Sequence, residues 1–169
     1  MNVESGFAAL DATCLPPASP KQSFGYGRAG TSHMNGALRL EQVSIVVVDD
    51  DLASRESLAL LLESEGARVV TAHDAEEGVD AILRTRPDAV VCDIDLPGMD
   101  GFYLIQRMRD DEIRSDRAPA VAVAVTGHSG DAYRLRSIGE GFQYFMTKPI
   151  QPAQFIAWLA DAIGERTTD

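Results

Sequence analysis

From residue 43 onward the chain alternates two patterns of apolar and polar positions. Short apolar runs at 43–48, 68–72, 88–92, 120–125 and 142–146 have the length of buried strands. Between them, apolar residues return every three or four positions, the period of a helix with one buried face. The stretch 52–65 carries Leu58, Leu61 and Leu62 at that spacing, and Gly66 supplies a stop. His73-Asp74-Ala75 opens a second helix, with Asp74 as an N-cap and Val79, Ile82 and Leu83 on one face. After a Pro97-Gly98 loop, Phe102, Ile105 and Met108 stripe a third. A fourth, at 131–138, has only Tyr133, Leu135 and Ile138 as anchors. A fifth, at 152–163, turns Phe155, Ile156 and Leu159 inward and has Pro152 in its first turn. Strand and helix in strict alternation predict an α/β domain, a doubly wound five-stranded parallel sheet with helices on both faces.

The first forty residues follow neither pattern. Gly, Ser, Ala and Pro dominate residues 12–36, which predicts a flexible tail over residues 1–41 before a domain at 42–165 and a short tail at 166–169. Phe24 and Tyr26 would be the contact residues if the tail served as a partner-binding arm, and Met34 is a second candidate start. Two cysteines, Cys14 and Cys92, make no disulfide framework, and Cys92 reads as a small buried hydrophobe. No signal peptide or membrane span is read, so the expected location is the cytoplasm. The net charge is −11 and belongs to the domain, since Lys21, Arg28 and Arg39 outnumber Glu4 and Asp11 before residue 41. That balance argues against direct nucleic-acid binding. No basic output module is read after residue 164.

The candidate chemistry lies where the apolar runs end. The first ends in Asp49-Asp50-Asp51, the third in Asp93, the fourth in Thr126, and the fifth leads through Thr147 into Lys148-Pro149. In an open parallel sheet the carboxyl ends of the strands line one crevice, where ligands bind. Acids gathered there repel one another and favour a hard divalent cation. Thr126 and Lys148 offer a hydroxyl and an ammonium suited to phosphoryl oxygens.

Residues 45–51, the segment Asp93-Ile94-Asp95-Leu96-Pro97-Gly98-Met99-Asp100-Gly101, Thr126 and Lys148-Pro149, in that order, resemble the receiver domain of two-component response regulators. Gly141-Phe142-Gln143 and Leu40-Glu41-Gln42-Val43 are similar to receivers attached to hybrid sensor kinases. The resemblance implies the flavodoxin-like strand order 2-1-3-4-5, and right-handed crossovers then put helices 1 and 5 on one face and 2, 3 and 4 on the other. It implies Asp93 as phosphoacceptor, forming an acyl phosphate. It implies Mg²⁺ held by the carboxylates of Asp50 and Asp93, by the backbone carbonyl of Asp95 and, through water, by Asp49. Lys148 would pair with Asp93 at rest and with a phosphoryl oxygen afterwards, Thr126 would donate to another oxygen, Phe145 would be the rotating aromatic, and Pro149 would follow a cis bond. Asp95 and His128 flank the approach of water to the acyl phosphate and are expected to modulate its lifetime. Gly127-His128 departs from the small Ala and variable polar residue of many receivers.

Several residues carry plainer readings. Asp51 and Asp100-Gly101 read as helix-cap chemistry, His73 as a surface loop residue, Trp158 as partly buried core. Read as plainly, Asp95 is a loop acid, His128 a solvated histidine and Phe145 a core residue. Gly78, inside the second helix, has no account in the sequence.

The expected function is a phosphorelay switch rather than an enzyme, apart from its own phosphorylation and dephosphorylation chemistry. A histidine kinase or histidine phosphotransfer protein would supply the phosphoryl group. An unidentified output protein would read the face made by the fourth helix, fifth strand and fifth helix, with a weak homodimer as a further partner. Two alternatives stay open at this point. Asp93-Ile94-Asp95 fits the Asp-x-Asp of haloacid-dehalogenase-like phosphatases, but there the nucleophile strand comes first, whereas here Asp49-Asp50 precede Asp93. The other is a non-phosphorylated pseudo-receiver acting as an interaction module, against which intact Asp50, Asp93, Thr126 and Lys148 speak.

Overall fold

The structure is a computed structural model that describes residues 39–166. The expectations for Cys14, Phe24, Tyr26 and Met34, and for residues 167–169, lie outside the described residues. Ten elements alternate along the chain: β1 (Ser44–Val48), α1 (Leu52–Ser64), β2 (Arg68–Ala72), α2 (Ala75–Thr85), β3 (Ala89–Asp93), α3 (Gly101–Arg114), β4 (Val121–Thr126), α4 (Asp131–Glu140), β5 (Tyr144–Thr147) and α5 (Pro152–Arg166). The five strands form one parallel sheet in the order β2-β1-β3-β4-β5, as the resemblance implied. The chain steps outward from β1 to β2 and then returns across β1 to β3. The strand order reverses between β1 and β3, which is where such sheets open a crevice.

Side chains alternate across the sheet and divide the core in two. Val46, Val48, Val90, Cys92, Ala122 and Ala124 face α2, α3 and Tyr133 of α4. Ile45, Val47, Val91, Val121, Val123 and Val125 face α1 and α5. The first layer meets alanines on β4, and Phe102 and Phe142 fill the room those alanines leave. Asp51, Asp74 and Asp100 are the N-caps of α1, α2 and α3, each accepting a backbone N–H from three residues on. α4 has no such cap: it begins at Gly130 without a side-chain hydrogen bond and fully buries only Ser137.

The structure corrects four expectations. Leu83 is 36% exposed because the buried stripe of α2 runs through Ala75, Gly78, Val79 and Ile82, and Leu83 lies a further turn-fraction around the helix. Leu135 and Ile138 are 63% and 37% exposed, since Tyr133 and Ser137 at i, i+4 take the inner face of α4. Leu40 and Arg166, on either side of residues 42–165, also make contacts with the described body. Leu40 is fully buried and its N–H donates to the Glu65 carbonyl at 2.9 Å. Arg166 donates to the carbonyls of Asp88 at 2.9 Å and Pro119 at 3.3 Å. Finally, β5 begins at Tyr144, because Phe142 serves as a buried plug after Gly141, whose φ of 118° ends α4.

Two glycines answer to close packing. A Cβ at Gly78 would lie 2.6 Å from Leu104 Cδ1 and 3.0 Å from Val48 Cγ2, so α2 sits tight on α3 and β1. A Cβ at Gly101 would lie 2.7 Å from the Asp93 carbonyl oxygen and 2.9 Å from Ile94 Cα. Backbone cannot step aside as a leucine methyl can. Gly101→Ala is therefore expected to cost about 1–3 kcal/mol by overpacking. Gly78→Ala should cost less, because helix propensity returns about 1 kcal/mol. Urea denaturation of both variants tests the ranking, and equal stabilities would contradict it.

Candidate functional site

Val48 stands beside Cys92 in the sheet, so Asp49 and Asp93 leave neighbouring strands at the same level. Both side chains are buried, at 5% and 7% exposure, and the same local device orients both. Asp49 Oδ1 accepts the backbone N–H of Asp51 at 2.9 Å, and Asp93 Oδ1 accepts that of Asp95 at 3.0 Å. Their remaining oxygens meet at one ammonium: Lys148 Nζ donates to Asp49 Oδ2 at 2.8 Å and to Asp93 Oδ2 at 2.6 Å. Burial alone would lower the Lys148 pKa, but these two bonds outweigh it and hold it above the ordinary lysine value. The strand exit sets the Lys148 backbone, whose N–H donates to the Thr126 carbonyl at 2.9 Å, and the Lys148–Pro149 peptide is cis.

Asp50 is exposed and completes the cluster: oxygens of Asp49, Asp50 and Asp93 lie within 4.8 Å of one another. Two buried carboxylates and one exposed to water are a donor set for a hard cation that keeps part of its hydration. The residues present therefore fit Mg²⁺. Arg55, one turn into α1, donates to the Asp49 carbonyl at 2.6 Å and the Asp50 carbonyl at 3.5 Å. It anchors the acidic turn through its backbone and leaves the carboxylates free.

The other half of the edge lies toward α4. Thr126 is fully buried at the end of β4, and its hydroxyl donates to Asp95 Oδ2 at 2.8 Å. The His128 backbone N–H donates to that hydroxyl oxygen at 3.1 Å, while its ring Nδ1 lies 2.9 Å from Asp95 Oδ2. Tyr133, in the first turn of α4, donates its hydroxyl to Asp95 Oδ1 at 3.0 Å. The Asp95 carboxyl would be raised by burial, but hydrogen bonds from Thr126, His128 and Tyr133 outweigh that and hold it below the usual carboxylate range. Phe145 is half-buried on β5 with its ring edge-on to Tyr133, at 6.3 Å and 65°.

The edge thus brings together Asp49, Asp50, Asp93 and Lys148 in one cluster and Asp95, Thr126, His128 and Phe145 in a second. Asp51 lines neither and caps α1. Cys92 is fully buried, and burial first, then the charges of Asp93 and Asp49, push its thiol well above the ordinary value. His73 is exposed and its ring pairs with Glu77 at 2.5 Å. Trp158 is half-buried on the opposite face, 4.3 Å from Tyr144 in an edge contact. Nothing in the sequence pattern marks Tyr133 or Arg55 as part of the site. Tyr133 reads as an apolar anchor, and the one available signal is its hydroxyl at the start of a helix that follows the Thr126 loop. A cleft of about 940 Å³ opens from the acid cluster between α1 and the Lys148–Ile150 segment, floored by Val47, Val91 and Val125.

The comparisons with known proteins agree with this geometry. The family described as response regulator receiver domain matches residues 45–160. An uncharacterised 14.6 kDa protein of Leptolyngbya boryana is 38% identical over 117 residues, 69% of this chain and 87% of that protein. The transcriptional regulatory protein FixJ of Bradyrhizobium diazoefficiens is 33% identical over 121 residues, 72% of this chain but 57% of FixJ, so the chain spans about half the length of such regulators. A CheY-like receiver domain protein from Methanospirillum hungatei superposes with a TM-score of 0.66 at 26% identity, over 76% of this chain and 98% of that one. A match of this extent, on a sheet with the strand order that the motifs implied, means that the chain belongs to the response regulator receiver domains of two-component systems.

Proposed function

We propose that Asp93 accepts a phosphoryl group from a phosphohistidine on a histidine kinase or a histidine phosphotransfer protein, and that the acyl phosphate switches which partner the domain binds. The observation that carries this reading is Lys148 Nζ bridging Asp49 and Asp93 at 2.8 and 2.6 Å beside an open third carboxylate, Asp50. An Asp93 oxygen attacks phosphorus, the bond from phosphorus to the imidazole nitrogen breaks, and its electron pair stays on that nitrogen. Asp50, Asp93, the Asp95 carbonyl and, through water, Asp49 would hold Mg²⁺, which would supply charge neutralisation for the phosphoryl oxygens. Lys148 keeps Asp93 oriented at rest and passes to a phosphoryl oxygen afterwards. Thr126 donates to a second oxygen. The cleft beside α1 is the open approach to Asp93 for the donor.

The output of the switch runs through α4, β5 and α5. α4 is the least anchored helix, uncapped and with one fully buried residue, and loosely held elements are the ones that move. Phe145, whose ring meets Tyr133 edge-on, would follow Thr126. Asp95 and His128 flank the acyl phosphate and tune its hydrolysis. The phosphatase and pseudo-receiver alternatives are not favoured, given the family and the complete acid, lysine and threonine set. Among the described residues no helix is long and apolar enough to cross a membrane. We place the domain in the cytoplasm, with an output protein that binds its α4–β5–α5 face and a weak homodimer through that face.

Three outcomes are expected. Asp93→Asn keeps size and removes the nucleophile, so intact mass after acetyl phosphate with Mg²⁺ should show no adduct where the wild type shows one phosphoryl group. A labelled Asp93→Asn would disprove the acceptor assignment. Asp50→Asn should raise the melting temperature of the metal-free protein by relieving repulsion in the acid cluster, while weakening Mg²⁺ binding by about tenfold or more in a calorimetric titration. A lower melting temperature would contradict this. His128→Ala should change the half-life of the phosphorylated protein by a factor of several in a decay assay, and an unaltered half-life would leave His128 as a loop residue.

A further inference from the structure

In the resting protein the Thr126 proton already has an anionic partner within the same chain. Thr126 Oγ1 accepts the His128 N–H at 3.1 Å and donates to Asp95 Oδ2 at 2.8 Å. A hydroxyl has one proton to give. It cannot serve Asp95 and a phosphoryl oxygen at once. Asp95 is itself held from two more directions, by the His128 ring on Oδ2 and by the Tyr133 hydroxyl on Oδ1. Tyr133 cannot easily turn away: its ring stacks on His128 at 5.0 Å and 26°, and meets Phe102 at 6.0 Å and Phe145 at 6.3 Å.

We propose that the Asp95 carboxylate is a built-in competitor that holds the Thr126 hydroxyl in the resting state, and that Tyr133 is the positioning residue that keeps it in place. This rests on the proposed reading of Asp93 as phosphoacceptor. A carboxylate and a phosphoryl group are both planar or tetrahedral arrays of anionic oxygen, so a donor aimed at one suits the other. The latch also ties the β3–α3 loop to α4. α4 has no side-chain N-cap, so the bond from Tyr133 to Asp95 stands among its few polar ties to the sheet edge. Loss of Thr126 to a phosphoryl oxygen removes one of three donors from Asp95 and with it part of the hold on Tyr133. Acceptor chemistry and α4 are then coupled through one carboxylate. Burial, followed by the Asp95 contact, pushes the Tyr133 phenol up to about 12, so it remains a donor at neutral pH.

Tyr133→Phe removes the donor without changing charge or ring packing, and Asp95→Ala removes the competitor while keeping the backbone carbonyl. The probe is beryllofluoride with Mg²⁺, a phosphoryl analogue, titrated into the full chain and followed by ¹⁹F NMR of the bound species. Tyr133→Phe should tighten binding by about threefold to tenfold, the range of one net hydrogen bond. Asp95→Ala should tighten it at least as much. Tyr133→Phe should add nothing in the Asp95→Ala background, because the tyrosine acts only through that carboxylate. Affinity for Mg²⁺ alone should be unchanged in Tyr133→Phe, which separates the latch from the acid cluster. Unchanged or weaker analogue binding in Tyr133→Phe, an equal gain in both backgrounds, or a parallel gain in Mg²⁺ affinity would each overturn the proposal. Should Tyr133→Phe not fold, Asp95→Ala decides alone, since its side chain lies on an exposed loop. A wild-type protein that fails to bind beryllofluoride would instead overturn the phosphoacceptor reading, whereas binding by the wild type with flat variants overturns only the latch.

Discussion

Two buried carboxylates on adjacent strands repel each other, and the Lys148 ammonium lies 2.8 Å from one and 2.6 Å from the other. Breaking a buried pair by removing one partner costs about 3–5 kcal/mol where water is excluded. Here the lysine side chain is 29% exposed, so the figure falls toward the lower end. The position of that ammonium depends on the whole sheet. β1 and β3 bring the two acids level, β4 holds the Lys148 backbone through the Thr126 carbonyl, and β5 delivers the lysine from the sheet's far side. One residue, Lys148, thus ties together four of the five strands, three through its ammonium and β4 through its backbone N–H, and the acids can be gathered at the sheet edge.

Packing on the two faces is unequal, and the inequality has a use. The α1–α5 face meets a row of valines on β4, whereas the opposite face meets Ala122 and Ala124. On that side α3 starts close to β3: Gly101 leaves no room for a Cβ against the Asp93 carbonyl, and its N–H donates to the Ile94 carbonyl at 3.0 Å. α3 is held by Phe102, Leu104, Ile105 and Met108, all buried. α4 next to it has no comparable stripe; Tyr133 supplies ring contacts and the polar tie to Asp95, and Arg136 lies 4.1 Å over the Phe102 ring. Rigid support lies under the reacting acid, and looseness lies where a response to it can be expressed.

What the sequence discloses here is what depends on near neighbours in the chain. Each strand is a run of residues, each of these caps an Asp three residues before its donor, and the acids of the cluster lie at or just past a strand end, so β1, Asp51, Asp100 and the Asp49–Asp50–Asp93 set could be read in advance. Residues whose role depends on distant contacts could not. Gly78 is explained only by Leu104 and Val48, which the sheet brings within reach. Leu40 and Arg166 look like tail by composition and are body by packing against Glu65 and Asp88. Leu135 fits the apolar count of α4, but Tyr133 and Ser137 fix which side faces inward. Tyr133 itself sits 38 residues from Asp95, and no local pattern joins them.

On the proposed reading, the two donors that a phosphoryl group needs are both engaged by carboxylates before it arrives: Lys148 by Asp49 and Asp93, Thr126 by Asp95. Phosphorylation then recruits these same donors and mostly replaces one acceptor anion by another. Hydrogen bonds to charged groups contribute about 1.5–3 kcal/mol each, so exchanging one such partner for another leaves a net change smaller than either bond. A difference of about 1.4 kcal/mol is a tenfold change in population. A switch built on exchange is therefore held near balance, and modest changes at Asp95, His128 or Tyr133 can move it. A site with idle donors would bind any passing anion, and it would gain nothing in discrimination from the crowded acids around it. Occupying the donors with the protein's own carboxylates makes the incoming group displace a bound competitor, and only a group attached covalently at Asp93, with its charge offset in the acid cluster, has the local concentration to do so.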